Sequence, residues 1–193
     1  MYNIVAIFGR SGSGKDTILN KILSSKYKDK FHRIIRYTTR PKRKNEVDGI
    51  DYFFISPKEM IDKIMSGEAI EANAFGDKGW VYGTTYNSLK EDKINIGVYD
   101  IEAVEVLMED KETNVFPIFI DKNEKNCLIR SIWREEDPDY NEIFRRFKSE
   151  REMYLDRDYI YGDLAWRAVD NNDTSTTSTT IANLVEDIIE EII

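Results

Sequence analysis

An α/β fold, with a parallel central sheet flanked by helices, follows from three observations on this chain. An apolar, β-branched run, Ile4-Val5-Ala6-Ile7-Phe8, leads directly into the glycine-rich stretch Gly9-Arg10-Ser11-Gly12-Ser13-Gly14-Lys15-Asp16-Thr17. A segment with Ile18, Leu19, Ile22 and Leu23 at helical spacing leads out of it. Further apolar runs then alternate with helical patterns, and strand–helix alternation around such a loop builds a parallel, doubly wound sheet.

The glycine-rich stretch fits the phosphate-binding pattern G-x-x-x-x-G-K-[ST] except at its last position. Its glycines let successive backbone N–H groups turn into one cavity. The helix that follows adds unpaired N–H groups and the positive end of its dipole. Ser11, Gly12, Ser13 and Gly14 would cradle a phosphate chain, and Lys15 would bring a full positive charge to the β- and γ-phosphates of a nucleotide. Asp16 stands where the pattern has the Ser or Thr that ligates Mg²⁺, and Thr17 offers a hydroxyl from the next position. An aspartate beside phosphates repels them unless a cation intervenes, so Asp16 is expected to help hold Mg²⁺, directly or through water.

The remaining elements follow in order. Tyr2 to Phe8 is the first strand, Lys15 to about Ser25 the first helix, and Lys26 to Lys30 a charged connector. His32 to Thr39 reads as one β-branched strand. Arg40-Pro41-Lys42-Arg43-Lys44 is the densest positive run of the chain; alone, such a run is a solvated turn. Asp51 to Ile55 is a strand, and Ser56-Pro57-Lys58-Glu59 starts a helix with a capping serine, a proline at the first position and a glutamate three residues on. That helix ends near Gly67; strands are predicted over Glu68 to Phe75 and Trp80 to Thr85. Ile94 to Asp100 is a near-continuous apolar strand ending in an acid, the arrangement that sets a carboxylate near Mg²⁺. Ile101 to Met108 is helical and Val115 to Ile120 a buried strand. From Asn123 the pattern is helical, broken by the acidic Glu135-Glu136-Asp137-Pro138-Asp139 and resuming as a charged helix over Arg145 to Tyr154. Leu164 to Val169 is the last strand, Asp170 to Thr180 a polar loop, and Ile181 to Ile193 a helix whose Ile181, Leu184, Val185, Ile188, Ile189 and Ile192 pack on the sheet.

In their order, GRSGSGKDT, YTTRPKR, GIDYFF, AIEANAF, VYGT, the strand ending at Asp100 and the later arginines resemble guanylate kinases, essentially over the whole chain. The resemblance implies one domain over 1–193: a core (1–35, 93–125 and 156–193), a GMP-binding mixed α/β insert (36–92) and a helical lid (126–155). It also implies ATP and GMP or dGMP as partners and Mg²⁺ as cofactor. Matched position by position, Arg40 and Arg43 look like the arginines that clamp the GMP phosphate, and Tyr52 and Tyr82 like the tyrosines that hold it. Guanidinium forks fit phosphate oxygens, and tyrosine adds neutral donors. Glu71 resembles the base reader, since a carboxylate accepts the N1–H and N2–H₂ donors that adenine lacks as a pair. Thr84 matches a hydroxyl residue near the base. In the lid, Arg130 and Arg134 fit the family spacing, and Arg146 fits the third arginine, with Arg145 as its substitute. Asn171 and Asn172 fall where the family contacts adenine.

Three positions depart from the family. Asp16 replaces the Ser or Thr of the loop. Arg36 stands at a common serine that touches guanine; it can donate to O6 and N7 of guanine, or signal another base. Glu102 stands where a second aspartate often follows the first acid. The implied chemistry needs no covalent intermediate and no general base, because the attacking phosphate oxygen is already ionised. Lys15, Mg²⁺ and the arginines would bring two anions into line and neutralise them, while the lid excludes water.

Net charge −8 argues against a nucleic-acid polymer or a membrane surface as partner. The single cysteine, Cys127, excludes an internal disulfide and fits a reducing compartment. With no signal segment and no apolar run of membrane-spanning length, the expectation is a cytoplasmic enzyme, monomeric or homodimeric. Two other readings stay open: a related small-molecule kinase such as a ribose 1,5-bisphosphate phosphokinase, and a non-catalytic guanylate kinase-like binding module.

Overall fold

The computed structural model describes residues 1–75, 79–134, 136–172 and 177–192. In chain order these form β1 (Tyr2–Phe8), α1 (Lys15–Leu23), β2 (Phe31–Arg33), β3 (Tyr37–Thr38), β4 (Phe53–Phe54) and α2 (Pro57–Met65). Then come β5 (Ala69–Phe75), β6 (Trp80–Thr85), β7 (Ile94–Tyr99), α3 (Ile101–Glu109), β8 (Thr113–Asp121) and α4 (Glu124–Trp133). The chain continues through α5 (Tyr140–Met153), the single turn α6 (Arg157–Tyr159) with a π-helical turn at Ile160–Leu164, β9 (Arg167–Asp170) and α7 (Thr177–Ile192).

Five strands make a parallel sheet in the order β2-β7-β1-β8-β9, with β1 at its centre. Ile4 to Phe8 are wholly buried because both faces of β1 are covered. Val5 and Ile7 pack with Ile18 and Ile22 of α1 and Leu184, Val185 and Ile188 of α7. Ile4, Ala6 and Phe8 face Ala103, Val104 and Leu107 of α3. A strand sandwiched this way reads as a continuous apolar run. Each fully buried Ile or Phe contributes about 1.5–3 kcal/mol, so the strand that feeds the phosphate loop is a stiff support.

A second sheet, β4-β3-β6-β5, is mixed: β3 runs parallel to β4 and antiparallel to β6, and β5 is antiparallel to β6. Helix α2 lies within this region, and its start is the predicted capping box, with Ser56 and Glu59 each bonded to the other's backbone N–H. The second sheet falls within 36–92, and α5 and all but the first two residues of α4 within 126–155.

Several boundaries differ from the sequence expectation. The single strand expected over His32 to Thr39 is two strands in two sheets: β2 pairs with β7, and β3 with β4 and β6. The chain leaves the first sheet after the Ile34 N–H donates to the Ile96 carbonyl, and the buried Arg36 turns it into the second. Propensity is alike on both sides of that turn, so only tertiary pairing divides it. Within Asp51 to Ile55 only Phe53–Phe54 is strand, and the connector at Lys26 to Lys30 holds a 3₁₀ turn. Helix α5 begins five residues before the expected Arg145, capped by Asp139 accepting from the Glu142 N–H. The last strand is Arg167–Asp170, and Leu164 closes the π-helical turn instead. Helix α7 begins at Thr177, inside the expected loop. Residues 173–176 of that loop, Glu135 of the acidic interval, Ile193 and the Ile181 side chain lie outside the described part. Among the described residues no helix is long and apolar enough to cross a membrane.

Candidate active site

The phosphate loop joins the end of β1 to the start of α1, and its backbone demands glycine. Gly9, Gly12 and Gly14 have φ of 143°, 78° and 101°, in the left-handed region. At Gly14 a Cβ would also sit 2.6 Å from Asn171 Nδ2, and at Gly12 it would overlap the Cys127 carbonyl oxygen of α4. Asn171, just after β9, donates to the Ser13 carbonyl (2.6 Å), while the buried Lys122 holds the Asn171 carbonyl. Asn172 is exposed and bonds the Asn123 backbone, so only the first of the two asparagines touches the loop.

Lys15 Nζ donates to the Gly9 and Arg10 carbonyls at 2.7 and 2.8 Å. Burial lowers its pKa, partly offset by Glu150 and Asp16. Glu150 of α5 accepts from the Ser11 N–H (2.8 Å) and hydroxyl, and Arg10 donates to the Glu150 and Tyr154 carbonyls. The loop is thereby tied to α5, a role for Glu150 and Arg10 that sequence reasoning missed; nothing local marks one acid in a highly charged helix.

A cavity of about 870 Å³ opens over the loop. Ser11, Gly12, Gly14, Lys15, Asp16 and Thr17 line one side, Arg36, Arg40, Arg43, Tyr52 and Tyr82 the second, and Arg130, Arg134, Arg146 and Asn171 the third. Three stretches far apart in sequence thus meet in one basic hollow. Arg146 rather than Arg145 faces it, and both donate to Glu142, whose pKa the hydrogen bonds from Arg145 and then Arg146 hold at about 2.

On the second side, Arg40 is 4% exposed and donates through Nε to the Tyr82 hydroxyl (3.1 Å). Its fork grips Glu46 bidentately at 3.0 and 2.7 Å, and Glu46 also accepts from the Arg43 N–H (2.8 Å). Burial alone would raise the Glu46 pKa, but Arg40 and Arg43 bring it below the ordinary carboxylate range. Glu46 also lines the cavity and was not among the residues expected; its signal is an acid just past a basic run. Tyr52 packs edge-on against Tyr82 at 5.7 Å, with the Arg40 guanidinium 5.7 Å from its ring centroid, and burial raises its pKa.

Besides Asn172 and Arg145, five expected residues do not line the cavity. Ser13 is wholly buried under the loop. Glu102 is exposed on the first turn of α3. Asp100 caps α3, accepting the Ala103 N–H (2.8 Å) on Oδ1, and its Oδ2 lies 4.0 Å from Arg36 Nη1. Its observed roles are those of a helix cap and a counter-ion to Arg36. Glu71 and Thr84 are buried at 2% and 0% exposure. A β-bulge between Ala69 and Glu71 brings Glu71 opposite Thr84, whose hydroxyl donates to Glu71 Oε1 at 2.8 Å. Arg36 donates to the same oxygen from Nε (3.1 Å) and Nη2 (2.8 Å) and lies 4.8 Å from the Tyr99 ring centroid. Burial pushes the Glu71 pKa up against the pull of Arg36. Burial likewise works against the Arg36 cation, but Glu71 and Asp100 more than offset it and raise its pKa.

A family model described as guanylate kinase matches residues 1–188. A guanylate kinase of Mesoplasma florum is 34% identical over 146 residues, which are 75% of this chain and 44% of that protein. One of Anaplasma phagocytophilum is 29% identical over 194 residues, covering 94% of this chain and 85% of that one. The chain spans about half the length of several curated relatives that it matches, at 44%, 50% and 56% of their lengths. The crystal structure of the guanylate kinase from Anaplasma phagocytophilum superposes with a TM-score of 0.68 at 21% identity, over 96% of this chain and 85% of that chain.

Proposed function

The chain belongs to the guanylate kinase family, and from that premise we propose that it transfers the γ-phosphoryl group of ATP directly to the phosphate of GMP or dGMP. The observation that carries the reading is the cavity, in which a phosphate loop faces two separate arginine groups, Arg40 with Arg43 and Arg130 with Arg134 and Arg146. One anion on the loop and a second on the insert would meet between them, which is what in-line transfer between two phosphates requires.

The residues divide the work. The loop amides of Gly12 to Thr17 and Lys15 bind the phosphates of ATP, with Asn171 beside them. Lys15 exchanges its two carbonyl partners for phosphate oxygens. Arg40, Arg43, Tyr52 and Tyr82 bind the acceptor phosphate, which displaces Glu46 from the Arg40 fork or shares it. Arg130, Arg134 and Arg146 stabilise charge on the transferring group. Regions 36–92 and 126–155 serve as acceptor insert and lid around the core, and closure of the lid keeps water from competing as acceptor.

Mg²⁺ fits the donors present. Asp16 and Thr17 line the cavity with oxygen atoms, and among the described residues no three His, Cys, Asp or Glu form a ready metal cage. An ion that keeps most of its waters and takes one or two protein oxygens beside substrate phosphates suits that arrangement. When bound, Mg²⁺ neutralises phosphate charge; Asp16 and Thr17 would hold it, with Asp100 behind Arg36. The buried Cys127 and the acidic net charge are in keeping with a cytosolic enzyme acting on small molecules, as a monomer or homodimer.

A coupled ADP-release assay with Mg·ATP against GMP, dGMP, AMP, CMP, UMP and ribose 1,5-bisphosphate tests the proposal. Turnover of GMP or dGMP well above the pyrimidine nucleotides supports it. Activity confined to ribose 1,5-bisphosphate would retain the phosphoryl chemistry but discard the nucleotide acceptor, and failure to bind Mg·ATP would leave a binding module.

A further inference from the structure

The surface that the cavity offers to an acceptor base is Arg36, not the carboxylate behind it. Arg36 lines the cavity and Glu71 does not. Glu71 Oε1 already accepts three hydrogen bonds, two from Arg36 and one from Thr84. Glu71 Oε2 is buried with no partner among the described residues, so it is shut off from the cavity as well. Arg36 is held in place from other sides too: Tyr99 stacks on it at 4.8 Å, Tyr82 lies at 5.9 Å, and Asp100 Oδ2 is 4.0 Å from Nη1. A guanidinium carries five N–H donors. Nε and one N–H of Nη2 are spent on Glu71, which leaves the Nη1/Nη2 end as a fork of donors alone.

We propose that Arg36 is the residue that touches the acceptor base, and that the acceptor class is the 6-oxopurine nucleoside monophosphates as a group, IMP as well as GMP. This rests on the kinase reading above and states what its site can distinguish. A donor fork matches the adjacent O6 and N7 acceptors of guanine, and hypoxanthine presents the same two atoms. Telling the two apart requires an acceptor for the 2-amino group; of the two carboxylates beside Arg36, Glu71 and Asp100, neither lines the cavity, and Glu71 Oε1 already carries three hydrogen bonds. Adenine sets an N6 amino donor beside N7, against the donors of Arg36, and is rejected. Glu71 is a positioning residue: it anchors the Arg36 guanidinium by one edge and leaves the other free.

The experiment is kcat/KM for GMP, IMP and AMP with Mg·ATP, on the wild-type protein and on R36S and E71Q, with ligand-induced shifts in melting temperature as a second readout. The expected result is IMP within about tenfold of GMP and AMP at least about a hundredfold below both. E71Q should weaken GMP and IMP by similar factors, since both depend on Arg36, whereas R36S should free Glu71 and raise the GMP-to-IMP ratio at least about tenfold. A wild-type preference for GMP above tenfold, or a loss in E71Q confined to GMP, overturns the assignment of Arg36 and leaves the kinase reading standing. If no mononucleotide is turned over, the kinase reading fails by itself. The thermal shifts then decide the base reader: equal stabilisation by GMP and IMP supports Arg36, and stabilisation by GMP alone overturns it. If R36S does not fold, the wild-type ratio and E71Q carry the test.

Discussion

Replacing Lys15 by methionine removes one charge from the phosphate loop and little else. The ammonium rests on the Gly9 and Arg10 carbonyls at 2.7 and 2.8 Å, and its pKa is lowered because burial costs the charged form. Two charge-assisted hydrogen bonds are lost, but so is that desolvation, so stability should change by no more than about 1.5 kcal/mol. The effect on catalysis is larger. A unit charge about 3 Å from a phosphate oxygen is worth about 5 kcal/mol at an effective dielectric of about 20. Only the fraction that grows as charge moves onto the transferring group accelerates the step. Taking rather more than half gives about 3 kcal/mol, or a loss of about a hundredfold to a thousandfold in kcat. Because Lys15 is on the donor side, KM for the acceptor should change less than about threefold. The assay is steady-state ADP release at saturating ATP with GMP varied, beside a urea titration. A kcat loss under tenfold, or an acceptor KM that rises as steeply as kcat falls, would refute the reasoning.

E46Q should strand the charge of Arg40, which is 4% exposed and holds Glu46 bidentately, and cost about 2–4 kcal/mol. Inorganic phosphate should then raise the melting temperature of E46Q more than that of the wild type; equal shifts would mean that Arg40 does not receive phosphate. Glu142 has a folded pKa of about 2 against an ordinary 4.5, so its contribution is full above about pH 4.5 and is lost as pH falls through about 2. For a dry pair the shift would equal about 3 kcal/mol; with water reaching it, about 1 kcal/mol is expected. E142Q should therefore be less stable than the wild type in urea at pH 7 and equal to it near pH 2, and a difference independent of pH would refute the ion-pair origin. Gly12→Ala puts a Cβ at φ 78° against the Cys127 carbonyl. It should cost about 1–3 kcal/mol and weaken ATP binding by at least about tenfold by calorimetry, and an unchanged ATP affinity would mean that α4 yields freely.

What the sequence alone determined is whatever a few neighbouring residues decide. The strand, loop and helix around Gly9 to Lys15 were legible because glycine spacing, a continuous apolar run and helical periodicity are local, as was the capping box of Ser56 and Glu59. Arg40 and Arg43 were legible as a dense positive run, and Arg130, Arg134 and Arg146 through the family resemblance; all five line the cavity. The tertiary structure decided which charges meet. Arg36 reaches Glu71 across 35 residues because β3 and β5 both pair with β6 and a bulge resets the register at Glu71. Glu150 reaches Ser11 across 139 residues, and Asn171 reaches Ser13 across 158. The division of residues 31–38 between two sheets has the same origin. Propensity sets the local conformation of a β-branched segment, whereas the identity of its partner strand depends on hydrogen bonds and burial contributed by distant chain. A buried guanidinium takes whichever carboxylate that packing brings within 3 Å.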